Sequence, residues 1–125
     1  MNYTFNKKEK LKSQKLIEQL FAQGQSVVAH PLRMVYIKAD FDEAIKIKAG
    51  VSVSKRHFKK AVDRNRLKRL MREAYRLQKA AYIDNISGQY ALMILYIGKE
   101  ENDFKTIYSK MDVLLKKFQE KISQV

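Results

Sequence analysis

The strongest constraint in this chain is a change of hydrophobic period near its middle. From Ile45 to Ser54 the residues alternate: Ile45, Ile47, Ala49, Val51 and Val53 are apolar, while Lys46, Lys48, Gly50, Ser52 and Ser54 are basic, small or polar. Period two sets one row against a core and leaves the other on an open sheet face, either a solvated surface or the floor of a groove. From Phe58 to Ala81 the period becomes helical, with Leu67, Leu70, Met71, Ala74, Leu77 and Ala81 on one face. Gln89 to Ile97 then reads as a strand buried on both faces. Strand, helix and strand make a β-α-β crossover, right-handed by the usual rule.

The flanks extend this unit. Ser13 can cap a short helix whose apolar positions Leu16, Ile17, Leu20 and Phe21 fall at i, i+1, i+4 and i+5, and Gly24 stands where a left-handed C-cap is wanted. Pro31 opens an extended segment, Leu32 to Ala39, and a further short strand fits around Val27–Ala29. Asp40, Asp42 and Glu43 make an acidic turn. Asn102 or Asp103 can cap a last helix with Phe104, Ile107, Tyr108, Met111, Leu115, Phe118 and Ile122 inward. The expected fold class is α+β, an α-β sandwich of three helices on a small sheet in the order αββ(β)αβα. With no repeat or linker, residues 1–125 read as one domain, residues 1–12 being a basic, flexible arm.

Charge decides the kind of partner. The formal net charge is +13. Residues 1–15 hold +4 and residues 55–76 hold +8, so twelve of the thirteen lie in two short segments. Solubility does not require that concentration; a nucleic-acid footprint does. The absence of Cys excludes a disulfide framework, a thiolate zinc site and a thiol nucleophile. The longest apolar run, Tyr90 to Ile97, is eight residues, against about 20 for a membrane span. No apolar stretch follows the N-terminal lysines, so no signal peptide, no membrane partner and a cytoplasmic location are expected.

Nothing supplies an acid–base pair. His30 reads as a turn residue before Pro31, and His57 lies inside the basic run. The acidic residues at 40, 42 and 43 suit a turn better than a metal. No catalytic and no metal-ligating residue is expected.

The basic helix is the most specific feature. Arg64, Lys68, Arg72 and Arg76 recur every four residues, and Asn65 and Arg69 widen the stripe while Arg66 lies on its far flank. Cations stacked this way repel one another until a polyphosphate neutralises them and releases its counterions. Arg outnumbers Lys there, and its fork binds phosphate bidentately.

The string A-V-x-R-N-R-x-K-R-x-x-R-E at Ala61–Glu73, following Gly50-Val51-Ser52-Val53-Ser54-Lys55, resembles the signature of the bacterial ribonuclease P protein component. Leu20-Phe21-x-x-Gly24, the element order and the length extend the resemblance from Lys10 to Phe118. It implies a sandwich like the second domain of ribosomal protein S5, with a left-handed crossover in place of the default. It implies a subunit of an endoribonuclease that removes the 5′ leader of precursor tRNA. Hydrolysis then belongs to a partner RNA with Mg²⁺, and the protein alone, a monomer, holds no cofactor and binds no DNA. Arg64, Asn65, Arg66, Lys68, Arg69, Arg72 and Arg76 would face the catalytic RNA. Phe21, Tyr36, Ser52, Lys55, Ile17 and Lys48 would form the cleft for the leader.

Two positions depart from the pattern: Ile17 stands where many members carry Phe, and Lys55-Arg56-His57-Phe58 replaces Lys-Lys-x-Gly. An assembly protein of the ribosome would share this composition. A protein-only nuclease would need metal-dependent cleavage through Asp40 or Asp42.

Overall fold

The structure is a computed structural model that describes Phe5 and residues 7–41, 44–84 and 86–123. The elements are α1 (Gln14–Gln23), β1 (Gln25–Ala29), β2 (Leu32–Ala39), β3 (Ile47–Val53), α2 (Ala61–Ile83), β4 (Gln89–Tyr96) and α3 (Phe104–Ile122). This is the expected α+β order, with the extra short strand present as β1. Asp42 and Glu43 of the acidic turn lie outside the described residues.

Local chemistry sets the boundaries. The Ser13 side chain accepts the Leu16 N–H at 3.2 Å, and Asp103 accepts that of Thr106 at 2.9 Å, so α1 and α3 start at side-chain caps. Gly24 is not left-handed as expected: its φ is −71° and its ψ 156°. It is needed for space, because a Cβ there would lie 2.8 Å from Val35 Cγ1 and 3.0 Å from the Tyr36 carbonyl oxygen. α2 begins at Ala61, later than the hydrophobic pattern suggested. Residues 55–57 form a turn held by Ser54, whose hydroxyl accepts the Arg56 N–H at 3.0 Å and whose carbonyl accepts that of Phe58 at 3.2 Å.

The sheet order is β1-β2-β4-β3, antiparallel except for the parallel β3–β4 pair that the α2 crossover requires. Register then separates two faces. Leu32, Met34 and Tyr36 align with Tyr96, Ile94 and Leu92, and these with Val53, Val51 and Ala49. This helix face packs under α2 and α3 through Leu67, Met71, Ala74, Ile107, Met111, Leu115 and Phe118. The open face carries Arg33, Val35 and Ile37, then Leu95, Met93 and Ala91, then Ser52, Gly50 and Lys48. α1 crosses it, burying Leu20 completely against Val35, Ala91 and Met93.

The basic arm is only partly an arm. Lys7–Glu9 form a short 3-10 turn, Lys10 bridges Ala49, and Leu11 N–H donates to the Ala49 carbonyl at 2.9 Å. The segment is therefore docked along the free edge of β3, correcting the flexible reading for residues 7–12. Lys79, 7% exposed, secures it with a 2.6 Å ion pair to Glu9, and Phe5 meets Tyr75 edge-on at 5.4 Å. This explains why α2 buries Tyr75 and Lys79, which its apolar stripe did not include. Glu9→Ala leaves that ammonium without its partner and is expected to cost about 2 kcal/mol. Adding Lys79→Met should recover most of it. Urea unfolding midpoints check this; equal midpoints for the parent and Glu9→Ala would mean the latch adds no stability.

Candidate nucleic-acid interface

The long helix does not present all of its cations equally. Asn65, Arg69 and Arg72 are exposed and Lys68 half-buried, and none makes an ion pair with a described residue. They form a continuous strip over about two turns of α2. Val62 extends the strip with an apolar surface that is 70% exposed.

The other three predicted cations have structural partners. Arg64 Nη1 donates to the carbonyls of Phe58 and Lys59 at 2.8 and 2.9 Å, pinning the turn before the helix. Arg66, on the far flank as expected, pairs with Glu101 at 3.1 Å. Arg76 pairs with Glu73, Nε donating to Oε2 at 3.2 Å, and this hydrogen bond holds the Glu73 carboxyl below the usual carboxylate range.

Phe58, standing where the family pattern has Gly, is buried with its ring edge-on to Tyr96 at 5.6 Å. No described non-Gly residue has positive φ, so this turn needs no glycine. The departure replaces chain freedom with an aromatic anchor beneath the helix start.

The expected cleft residues divide into three places. Ile17, Phe21, Ser52 and Lys55 remain candidates for one trough. Phe21 is 53% exposed, which excludes the plain core role open to an aromatic there. Leu16 and Gln19 line a hollow with Asp40 and Phe41, so at about 100° per residue Ile17 and Phe21 lean to the opposite flank of α1. On that flank the sheet offers the row Val28, Arg33, Leu95 and Ser52.

Two residues do not belong there. Tyr36 is on the helix face, its ring 5.0 Å from that of Phe118 and its hydroxyl donating to Gln25 at 3.2 Å. Val35 and Arg33 occupy the open face instead. The signal was available: Arg33 is the lone charge beside Leu32 and Met34, and period two from it places Val35, not Tyr36, on the open face. Lys48 shares the face of Ser52, but Gly50 lies between them beneath Leu11, where an added Cβ would meet Leu11 Cβ at 3.7 Å. Leu11 thus separates Lys48 from the trough.

His30 and His57 are both exposed, in separate turns. Among the described residues no three His, Cys, Asp or Glu side chains converge on a metal-sized site. None of the described helices is long and apolar enough to cross a membrane.

This fold and this strip have counterparts among known proteins. The Ribonuclease P family profile matches residues 5–119. The chain belongs to the ribonuclease P protein family. It is 37% identical over 112 residues to the ribonuclease P protein component of Porphyromonas gingivalis, covering 87% of this chain and 82% of that one. It is 40% identical over 106 residues to that of Chlorobium phaeobacteroides, covering 76% and 73%. The RNase P protein from Thermotoga maritima superposes with a TM-score of 0.70 at 26% identity, covering 87% of this chain and 96% of that one. The Staphylococcus aureus RNase P protein gives 0.71 at 20% identity over 88% and 94%, a likeness of fold. As a family member this chain is a protein subunit of ribonuclease P, and its partner is the RNase P RNA.

Proposed function

We propose that this subunit grips the catalytic RNA through Asn65, Lys68, Arg69 and Arg72 and lays the 5′ leader of precursor tRNA along the trough beside α1. The observation that carries the first part is the strip itself: exposed cations on a rigid, buried-backed helix with no acidic partner among the described residues. Arg64 and Arg66 flank it, each with N–H groups beyond those it gives to the protein.

For the leader, single-stranded RNA binds where bases can stack on aromatic faces beside cations. Phe21 supplies the face, Arg33 and Lys55 the charge, and Ser52 a hydroxyl on the floor. Ile17, lacking a ring, gives an apolar wall only. Phosphodiester hydrolysis, with its Mg²⁺, is assigned to the RNA in the cytoplasm, and no side chain of this chain to the chemistry.

Cleavage of precursor tRNA by the cognate RNA is the test. At low Mg²⁺ the protein is expected to raise the rate of leader removal, and Phe21→Ala to raise the KM for leader-bearing substrate several-fold through lost stacking. Equal rates with and without protein would overturn the proposal. So would cleavage by the RNA-free protein.

A further inference from the structure

Arg33 is placed to do more in the trough than supply charge. It is the one cation in the floor row of Val28, Arg33, Leu95 and Ser52, and no carboxylate among the described residues pairs with it. Its fork is held: Nη2 donates to the Ser26 hydroxyl at 3.3 Å. Ser26 stands two places along β1 from Val28, the residue opposite Arg33 in the ladder. The side chain therefore leans toward the start of β1, just past the end of α1 that carries Phe21.

These surroundings suit a nucleobase better than a phosphate. Val28 is 43% exposed and Leu95 half-buried, so the guanidinium lies among apolar surface, with the open Phe21 ring on the flanking helix. Lys55, exposed just beyond β3, remains for the backbone charge. Beside apolar side chains a hydrogen bond is electrostatically stronger than in water. Ser26 takes one N–H of the guanidinium, which leaves the others in a fixed planar fork. Such a fork needs two acceptors side by side. An unpaired guanine offers O6 and N7, and a cytosine O2 and N3, whereas adenine and uracil interpose an N–H donor. Of the two that fit, guanine has the larger face to stack on an aromatic ring.

We propose that Arg33, positioned by Ser26, selects a guanine in the 5′ leader, its fork on O6 and N7 while the base stacks against Phe21. This selectivity rests on the reading of the trough as the leader's path. It adds to that path a discrimination between bases that charge and stacking alone do not give.

The test is cleavage, by the assembled holoenzyme, of a precursor pool with randomised leader bases, read as relative kcat/KM for each base at each leader position. The parent is expected to favour guanine at one position by about tenfold, within the discrimination of a bidentate contact. Arg33→Lys keeps the charge and loses the fork, so guanine should drop to the level of the other bases there. Ser26→Ala should reduce the preference by about threefold, the lower range for one hydrogen bond, and Ser26→Thr should restore it. Thermal unfolding confirms that each variant folds.

A flat profile in the parent, a preference for any base but guanine, or a guanine preference that survives Arg33→Lys would overturn the selection by Arg33. An unaltered preference in Ser26→Ala would remove Ser26 as its positioning residue. If Phe21→Ala and a shortened leader both leave KM unaltered, the trough reading itself fails and the selectivity with it. If they raise KM while the base profile is flat, the selectivity alone fails.

Discussion

Alanine at Lys68, Arg69 and Arg72 together is expected to weaken binding of ribonuclease P RNA by about 100-fold, taking about 1 kcal/mol for each screened phosphate contact. The slope of log affinity against log salt should fall by about 2 to 3, since each released contact carries about 0.7–0.9. Stability should stay within about 0.5 kcal/mol, because the three side chains pair with nothing among the described residues and their mutual repulsion is removed. That pairing of large affinity loss with unchanged stability is the signature of a binding strip. Arg64→Ala should behave differently. It removes two bonds to the 58–59 carbonyls and is expected to lower stability by about 1–2 kcal/mol as well as affinity. Filter binding across a salt series, beside urea unfolding, checks both. A triple variant with parental affinity and slope would remove α2 from the RNA interface.

The second large effect is expected at Gly24. A methyl group there meets the Leu20 carbonyl oxygen, Val35 Cγ1 at 2.8 Å and the Tyr36 carbonyl oxygen at 3.0 Å. Two of the three are backbone atoms that no rotamer change can move, so α1 must lift from β2. Gly24→Ala is expected to cost about 3 kcal/mol, the upper range for overpacking, and to lower Tm by roughly 10 °C. The damage reaches function because α1 is one wall of the trough. Leader-dependent KM should worsen while affinity for the catalytic RNA, held on the far layer, changes little. A Gly24→Ala protein as stable as the parent would show that the helix end has room to adjust.

Much of this architecture was legible in the residues because its signals are local. The alternation in β3, the apolar stripe of α2 and the caps at Ser13 and Asp103 each act within one element, and each placed that element within a few residues. The block Arg64-Asn65-Arg66 with its flanks identified the family before any contact was known. What escaped needed two elements at once. Gly24 looked like a C-cap because its reason lies on β2. Tyr36 entered the expected cleft only through the family resemblance, carried over by position, whereas Phe118, far along the chain, claims its ring. Residues 7–12 looked like a loose basic arm because the pairing of Glu9 with Lys79 spans most of the chain. Arg64 and Arg76 counted as members of the stripe, with Arg66 on its flank, until their partners, the 58–59 carbonyls, Glu73 and Glu101, divided them from the rest.

The strand order has a consequence for how the subunit is made. β2 and β3 follow each other in the chain, yet β4 lies between them in the sheet. As the chain leaves the ribosome, the β1–β2 hairpin can close and α2 can begin to coil, but β3 has no partner strand until residues 89–96 emerge. Until then α2 carries its full positive strip with its apolar side unburied. Nascent or truncated chains that stop short of Gln89 are thus sticky toward RNA and toward one another, and only the last third of synthesis turns that stickiness into a shaped surface.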